Sequence, residues 1–167
     1  RLLVVGLSPG LRGANRTGRP FTGDYAGELL YPSLLKFGLA RGTFSAAVDD
    51  GLELVDCRIT NAVRCVPPAN KPTPLEQKTC RDYLKAEISA MPRLRSILVL
   101  GRIAHEATIA TLGLRKSAYP FVHGTTHRID SQPCVTDSYH CSRYNLNTKV
   151  LTAAMFQEAL GRAMSVT

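Results

Sequence analysis

The sequence predicts an α/β sandwich built around a mostly parallel β-sheet. Short continuous apolar runs that end in glycine, such as residues 2–6 and 96–101, are typical of strands buried on both faces. Segments with helical spacing of apolar residues alternate with these runs, and this alternation favours parallel strands joined by helices. In sheets of this type, functional side chains collect at the carboxyl ends of the strands.

The elements can be assigned in order along the chain. Predicted strands cover residues 2–6, 52–59, 96–101, 122–129 and 134–139. Predicted helices cover residues 29–37, 75–90, 103–112 and 152–164. Gly38 is the stop signal of the first helix. Thr73 followed by Pro74 fits an N-cap with proline at the first helical position, so the second helix is expected to begin there.

Length and composition indicate one globular domain over residues 1–167, since no internal repeat, low-complexity tract or linker interrupts the chain. With 44% hydrophobic and 20% charged residues, the composition excludes intrinsic disorder. No apolar run approaches the roughly 20 residues that span a bilayer, so no membrane partner is expected. The chain opens at Arg1 and enters an apolar run at once, so we expect that a segment upstream of Arg1 is absent from this numbering.

The charge balance and the cysteines bear on partners and compartment. Lys and Arg number 21 against 13 Asp and Glu, which gives a net charge of +8 and a pI near 9.5. Such a surface attracts nucleic acid or anionic ligands, although many basic domains bind neither. The five cysteines are irregularly spaced, which favours a reducing compartment with free or metal-binding thiols over a disulfide framework.

Two glycine-rich segments follow the first strand. The turn over residues 6–13 offers backbone N–H groups that can hold an anion, or it is only a tight turn. It matches neither the dinucleotide-binding nor the nucleoside-triphosphate pattern. The stretch Asn15–Asp24 is either a solvated loop with an aspartate cap or the wall of a pocket. In the second case Phe21 offers a π-face to a flat ligand and Asp24 supplies negative charge.

Polar residues also end the second strand and the last strand. Asn61 follows the second strand, where its amide presents one donor and one acceptor. That pair complements the O4 and N3–H edge of uracil and mismatches cytosine, while a satisfied structural asparagine is the alternative. His140 leaves the last strand into a loop of serine, arginine, tyrosine and asparagine. It is placed for acid–base or electrostatic work and for phosphate contact, or it is structural.

Cys65 and Cys80 are separated by 14 residues around a proline-rich loop. Thiolates favour zinc or iron–sulfur clusters, but both kinds of site usually take four ligands. Buried free cysteines are therefore the alternative that spacing alone leaves open. His123 and His127 are expected on one face of a strand, a pattern more typical of a polar surface than of a ligand pair.

Taken together, these motifs resemble the uracil-DNA glycosylase superfamily, and specifically its iron–sulfur, family-5 (B-type) branch. The resemblance rests on residues 6–10 with Asn15–Asp24, on Thr60–Pro68, on Ser138–Ser142, and on the spacing from Cys65 to Cys80. It runs through nearly the whole chain in collinear order. It implies a three-layer α/β/α sandwich with a four-stranded, mainly parallel central sheet.

The implied activity is hydrolysis of the N-glycosidic bond of uracil in DNA, which leaves an abasic site for base excision repair. The resemblance assigns catalytic roles to Asp24, Asn61 and His140. It assigns substrate-binding roles to Gly6, Leu7, Phe21, Ser142 and Arg143. Basic residues are expected to contact DNA phosphates, namely Arg12, Arg16, Arg19 and Arg143.

The implied cofactor is a [4Fe–4S] cluster. Cys65 and Cys80 match the second pair of its four cysteine ligands, and two further ligands are expected upstream of Arg1. We expect the cluster to organise the loop between these cysteines near DNA, because that loop region carries Lys71 and Arg81.

Two departures from the family pattern bear on specificity. Cys141 stands after the motif histidine, where family members often have proline or valine. Many relatives in the superfamily place an acid or amide just after the first-strand glycine, whereas this chain has Leu7 and Ser8 there, and the family-5 pattern likewise has no acid at that place. The missing acid indicates weaker base discrimination, so hypoxanthine is an expected additional substrate. The implied protein is a monomer in the cytoplasm of a bacterium or archaeon, associated with the nucleoid.

Three other hypotheses remain. A non-catalytic binder of uracil or abasic-site DNA on the same fold is the main one, and the presence of Asp24, Asn61 and His140 argues against it. The second is a hydrolase of free nucleosides or nucleotides, which the charge of +8 disfavours because it suits a polymer. The third is a zinc-binding structural domain.

Overall fold

A computed structural model describes residues 1–166 of the chain, except for the side chain of Asn70. The strands are β1 (Leu2–Gly6), β2 (Ala40–Arg41), β3 (Glu53–Leu54), β4 (Cys57–Asn61), β5 (Ser96–Leu100), β6 (Thr126–His127) and β7 (Cys134–Ser138). The α-helices are α1 (Ala14–Thr17), α2 (Gly27–Lys36), α3 (Pro74–Ser89), α4 (Arg102–Thr111), α5 (Arg143–Asn147) and α6 (Ala153–Met164).

The central sheet has the strand order β4-β1-β5-β7-β6. Its first four strands are parallel, whereas β6 pairs antiparallel with β7 at one edge. The sheet is therefore mostly parallel as predicted, with one short strand more than the expected four. The register places Gly6 opposite Asn61, and Leu100 opposite Ser138. The carboxyl ends of β1, β4, β5 and β7 thus lie along one edge of the sheet.

Two hydrophobic layers enclose the sheet, because alternate residues of each strand point to opposite faces. One layer packs Leu2 and Val4 against buried side chains of α2 and α6. The other packs Leu3 and Val5 against α3 and α4. Every residue of β1 is buried, as its unbroken apolar run indicates. These two layers confirm the predicted α/β/α sandwich.

Several predicted boundaries change for local reasons. The strand expected at 52–59 is interrupted at Asp56, which has a φ of 49°, and the chain leaves the small β2–β3 sheet there before it enters β4. The strand expected at 122–129 is reduced to the two residues of β6. Helices α1 and α5 escape prediction because four or five residues are too few to show helical periodicity.

The start of α3 follows the prediction closely. Thr73 accepts a hydrogen bond from the Glu76 backbone N–H at 3.2 Å, and the Glu76 carboxylate accepts one from the Thr73 N–H at 2.6 Å. This reciprocal pair is a capping box, which satisfies two of the N–H groups that a helix leaves free at its first turn. Within residues 1–166, no helix combines the length and hydropathy that crossing a membrane requires.

Candidate active site

Loops from the carboxyl ends of the strands surround a cavity of about 420 Å³. This site cavity lies at the edge of the sheet where ligands of open α/β sheets bind. Six of the predicted site residues line it: Leu7, Phe21, Asp24, His140, Ser142 and Arg143. Segments that are far apart in sequence therefore meet at one place, the Phe21–Asp24 loop on one side and the loop after β7 on the other.

The Asp24 carboxylate occupies the space that side chains at Gly10 and Gly13 would need. A Cβ atom at either glycine would overlap the carboxylate. Burial raises the pKa of Asp24 above its ordinary value, while hydrogen bonds from the backbone N–H groups of Ala14 and Gly10 act in the opposite direction and favour the charged form. The backbone N–H groups at the glycine-rich turn thus bind a carboxylate of the protein itself, that of Asp24.

Phe21 is buried and has a φ of 56°, a backbone conformation that a bulky residue rarely adopts. Its carbonyl group packs so tightly on Gly27 that a Cβ atom there would overlap it. The ring lies near His140, with 6.3 Å between the two ring centroids. A strained aromatic residue held in place by its surroundings is a feature of ligand sites.

Asn61 ends β4 opposite Gly6 and is only 8% exposed. Its Oδ1 atom has no hydrogen-bond partner among the described residues. An unpaired buried acceptor costs about 1–3 kcal/mol, so this oxygen is well suited to receive a donor from a ligand. A Cβ atom on Gly6 would lie 2.5 Å from both Asn61 Oδ1 and Phe21 Cζ. Only glycine leaves room for the amide and the ring at this end of β1.

Asn61 belongs to a second cavity, next to the first. This polar cavity measures about 440 Å³ and includes Thr60, Arg64 and Glu87 in its wall. Because the Phe21 ring and the Asn61 amide meet over Gly6, the two cavities adjoin at that glycine. The structure therefore places Asn61 beside Phe21, but outside the wall that Asp24 and His140 share.

His140 lies two residues after the end of β7 and lines the site cavity. Burial lowers the pKa of His140 to about 4, so the imidazole is neutral at neutral pH. A neutral imidazole still has one N–H to donate. The loop around it is held by Asn145, whose Nδ2 donates to the His140 carbonyl oxygen at 2.9 Å. Cys141, the departure from the family pattern, is fully buried in the core layer that α2 and α6 form.

Ser142 and Arg143 both line the site cavity, but Ser142 also caps a helix whereas Arg143 is exposed at the surface. The Ser142 hydroxyl accepts a hydrogen bond from the Asn145 N–H at 3.3 Å and so caps α5. Arg143 is exposed, and its guanidinium lies over the Tyr25 ring at 4.7 Å from the centroid. Its charge is accordingly available at the mouth of the cavity.

Arg19 differs from the expectation that it contacts phosphate. Both ends of its guanidinium donate to the buried Asp50 carboxylate, each at 2.8 Å, and its Nε donates to Thr22 at 2.6 Å. Sequence reasoning missed Asp50, since nothing near residue 50 marks it as a partner of a loop 31 residues away. Arg12 and Arg16 are exposed, as the expectation requires.

The cysteines are all free, and their positions differ. Cys65 is exposed just after β4, while Cys80 lies on the buried face of α3. Burial raises the pKa of Cys57 and of Cys141 to about 12, which keeps these two thiols protonated and poor metal ligands. Cys134 begins β7 at the edge of the sheet opposite the site. No group of three potential metal ligands within the described part of the chain includes a cysteine.

The expectation that His123 and His127 lie on one polar face of a strand is wrong, because β6 contains His127 but not His123, and neither side chain is fully exposed. His123 accepts a hydrogen bond from the Tyr139 N–H, whereas the His127 Nε2 lies 3.0 Å from a carboxylate oxygen of the buried Asp137. His105 Nδ1 lies 2.7 Å from the other oxygen of Asp137. Burial is the largest single effect on the pKa of His105 and lowers it, but the hydrogen bond and negative charge of Asp137, the Tyr119 carbonyl and the charge of Glu106 together raise the pKa overall. This network joins α4, β6 and β7 through Asp137, and its partners are too far apart in sequence to be predicted.

Comparisons with known proteins agree with this geometry. The family model for the uracil DNA glycosylase superfamily matches residues 1–163. The type-5 uracil-DNA glycosylase of Thermus thermophilus is 48% identical over 163 residues, which cover 98% of this chain and 74% of the relative. The type-5 enzyme of Pyrobaculum aerophilum is 40% identical, with 98% and 70% covered. A type-4 uracil-DNA glycosylase of Archaeoglobus fulgidus is 33% identical over 77% of this chain and 57% of its own length. The chain thus belongs to the uracil-DNA glycosylase superfamily, in its type-5 branch.

Proposed function

We propose that this protein is a DNA glycosylase that hydrolyses the N-glycosidic bond of uracil in DNA and leaves an abasic site. The observation that carries the proposal is the meeting of a buried amide, an aromatic ring, a carboxylate and a neutral imidazole at one edge of the sheet. The names of the type-5 relatives support the same activity. Base excision repair is the process that such an activity serves.

Base recognition requires that the uracil leaves the helical stack, at a cost of a few kcal/mol. The flipped base stacks on Phe21, since an aromatic face binds any base without regard to sequence. Asn61 then reads the Watson–Crick edge: its unpartnered Oδ1 accepts the N3–H of uracil, and its Nδ2 donates to O4. Cytosine presents the reverse pattern and leaves both groups unpaired, which selects against it.

Bond cleavage moves the electron pair of the glycosidic bond onto the base and leaves an oxocarbenium-like sugar. His140, neutral because of its lowered pKa, donates an N–H to the oxygen of the base where negative charge develops. The Asp24 carboxylate stabilises the cationic sugar and orients the water that attacks C1′. The attacking water loses its proton to Asp24 or to solvent, and the uracil anion leaves.

DNA binding rests on the basic surface. The net charge is +8, and Arg12, Arg16 and Arg143 are exposed around the site. Each arginine that pairs with a phosphate releases counterions, so binding weakens as salt rises. Leu7 contacts the base from the wall of the cavity, Gly6 leaves room for the Asn61 amide and the Phe21 ring, and Ser142 caps the helix that begins with Arg143.

A [4Fe–4S] cluster fits the donor set only together with ligands from outside residues 1–167. Cys65 and Cys80 would hold one half of it, and two further cysteines would have to lie upstream of Arg1. The buried Nε of Arg81, beside Cys80, has no partner within the described residues, which suits a neighbouring acceptor group. The cluster would have a structural role, since neither cysteine lines the site cavity.

The protein is proposed to act as a monomer on chromosomal DNA in the cytoplasm of a bacterium or archaeon. The relatives named above come from both kinds of organism. Hypoxanthine is a further proposed substrate, because its O6 and N1–H present the same acceptor and donor pattern to Asn61 as uracil does. The segment after β1 has Leu7 and Ser8 and no acidic side chain, so no carboxylate there restricts which bases enter the pocket.

Single-turnover cleavage of a uracil-containing strand by the full-length protein, scored as abasic sites, tests the proposal. Strands with hypoxanthine, strands without damage, and free deoxyuridine serve as parallel substrates, and the His140→Ala variant serves as the catalytic control. Release from the uracil strand that is lost in this variant supports the glycosylase. Tight binding of uracil DNA without release favours a damage-binding role, while cleavage of free deoxyuridine favours a nucleoside hydrolase.

A further inference from the structure

Glu87 is a buried carboxylate that lies outside the site cavity. It shares the buried face of α3 with Cys80 and Leu84 and is 8% exposed. A buried carboxylate is costly unless it is paired and hydrogen-bonded. The groups that pair with the Glu87 carboxylate therefore indicate which part of the fold it stabilises.

Within the described residues, the side-chain partners of the Glu87 carboxylate come from one short segment, residues 58–64. Glu87 Oε2 accepts a hydrogen bond from the Thr60 hydroxyl at 3.2 Å and a second one from the Arg64 guanidinium. Its Oε1 pairs with Arg58. Arg64 also lies over the ring of Tyr83 on the same helix, at 5.9 Å from the centroid. The end of β4 and the turn after it are thus attached to α3 through one carboxylate.

The two residues that bond to Glu87 Oε2, Thr60 and Arg64, lie on either side of Asn61 in the sequence. Thr60 directly precedes Asn61, and Arg64 closes the turn three residues later. The Asn61 Oδ1 has no partner of its own within the described residues, so the orientation of the amide depends on how its backbone is held. The turn is anchored on its other side by β1, through the Ala62 N–H to Gly6 carbonyl bond at 2.9 Å.

We propose that Glu87 is a positioning residue for base recognition, which acts through Thr60 and Arg64 on the Asn61 amide. The inference rests on the proposed function. The ligand it concerns is a base with a carbonyl oxygen beside a ring N–H on its Watson–Crick edge. Without Glu87, the amide keeps its chemistry but loses its fixed direction, and an amide that points away from the base no longer selects it.

A double-mutant cycle tests this coupling, because residues that act through one another give non-additive effects. The variants are Glu87→Gln, Asn61→Ala and the pair. The readout is the affinity for DNA with a 2′-fluoro-2′-deoxyuridine, whose fluorine suppresses cleavage, divided by the affinity for undamaged DNA. We expect Glu87→Gln to lower this ratio about tenfold when Asn61 is present, and less than about twofold when it is alanine. Equal losses in both backgrounds overturn the proposal.

Two controls keep the result interpretable. Glu106→Gln removes a half-exposed carboxylate paired with Lys116, and it should leave the ratio unchanged. If Glu87→Gln does not fold, Thr60→Val takes its place in the same cycle, and additive losses there also overturn the proposal. A wild-type protein that binds uracil DNA no better than undamaged DNA contradicts the proposed function itself, which separates that failure from a failure of the coupling.

Discussion

The guanidinium of Arg19 and the carboxylate of Asp50 form two parallel hydrogen bonds of 2.8 Å each across 31 residues of sequence. The Asp50 side chain is 1% exposed, and Arg19 also lies over the rings of Tyr31 and Phe44. Because the loop that begins at Arg19 carries Phe21 and Asp24, this pair anchors the wall of the site to the body of the protein.

Replacing Asp50 with alanine is expected to lower the free energy of unfolding by about 3–5 kcal/mol, since it leaves a half-buried guanidinium without its counter-charge. Arg19 holds the pKa of Asp50 well below its ordinary value. The stability from this pair is therefore present above pH 3.8 and is lost as the pH falls through the lowered pKa. Urea denaturation at several pH values measures both effects.

Glu53→Ala is the matched control for that change. It breaks the exposed pair with Arg41, which should cost less than about 1 kcal/mol. If both variants lower the free energy of unfolding by similar amounts, the Arg19–Asp50 pair stabilises the fold no more than a surface ion pair does.

Gly6→Ala is expected to lower single-turnover release of uracil about a hundredfold, because its Cβ atom would stand 2.5 Å from both Asn61 Oδ1 and Phe21 Cζ. The control is Gly161→Ala in α6, where the nearest atom to the new Cβ is 3.5 Å away. Unchanged release by Gly6→Ala would mean that the Phe21 ring and the Asn61 amide do not both touch the base.

The pH dependence of single-turnover release should have one acid limb. Asp24 must be ionised, and its raised pKa places the loss of activity above pH 3.8, the ordinary value of an aspartate. His140 has a pKa of about 4 and stays neutral above it, so no limb is expected near pH 6.5. His140→Gln should keep the profile and part of the rate, while His140→Ala should lose about 10²–10³-fold. A limb near pH 6.5 that disappears in His140→Gln would contradict a neutral imidazole.

Cys80→Ser in the full-length protein is expected to lose iron and the visible absorbance of an iron–sulfur cluster, and to bind DNA more weakly. Cys57→Ser is the matched control, because burial raises the pKa of that thiol to about 12 and it lies at the amino end of β4, away from the loop after that strand. Retention of iron by Cys80→Ser would exclude this residue as a ligand. Loss of iron with unchanged DNA affinity would show that the cluster does not organise the DNA-facing loop.

Much of the architecture could be predicted because its signals are local. The apolar runs of β1 and β5 predict buried strands, and the Thr73–Glu76 box marks the start of α3. Strand ends also indicate where polar residues matter, and Asn61 and His140 both stand at such ends. Short elements without periodicity, such as α5, could not be found in this way.

The sequence by itself determined the fold class, the family and the residue types at the site. Apolar periodicity, the glycines and prolines that end strands and helices, and the order of the motifs can all be read from neighbouring residues. Only the tertiary structure decided which groups meet. Asp24 fills the space over Gly10, Arg19 is paired with Asp50, and Glu87 faces Thr60. Such pairings depend on loops that close over long stretches of chain, and the free energy of burying a charge is settled only by the partner that the fold brings to it.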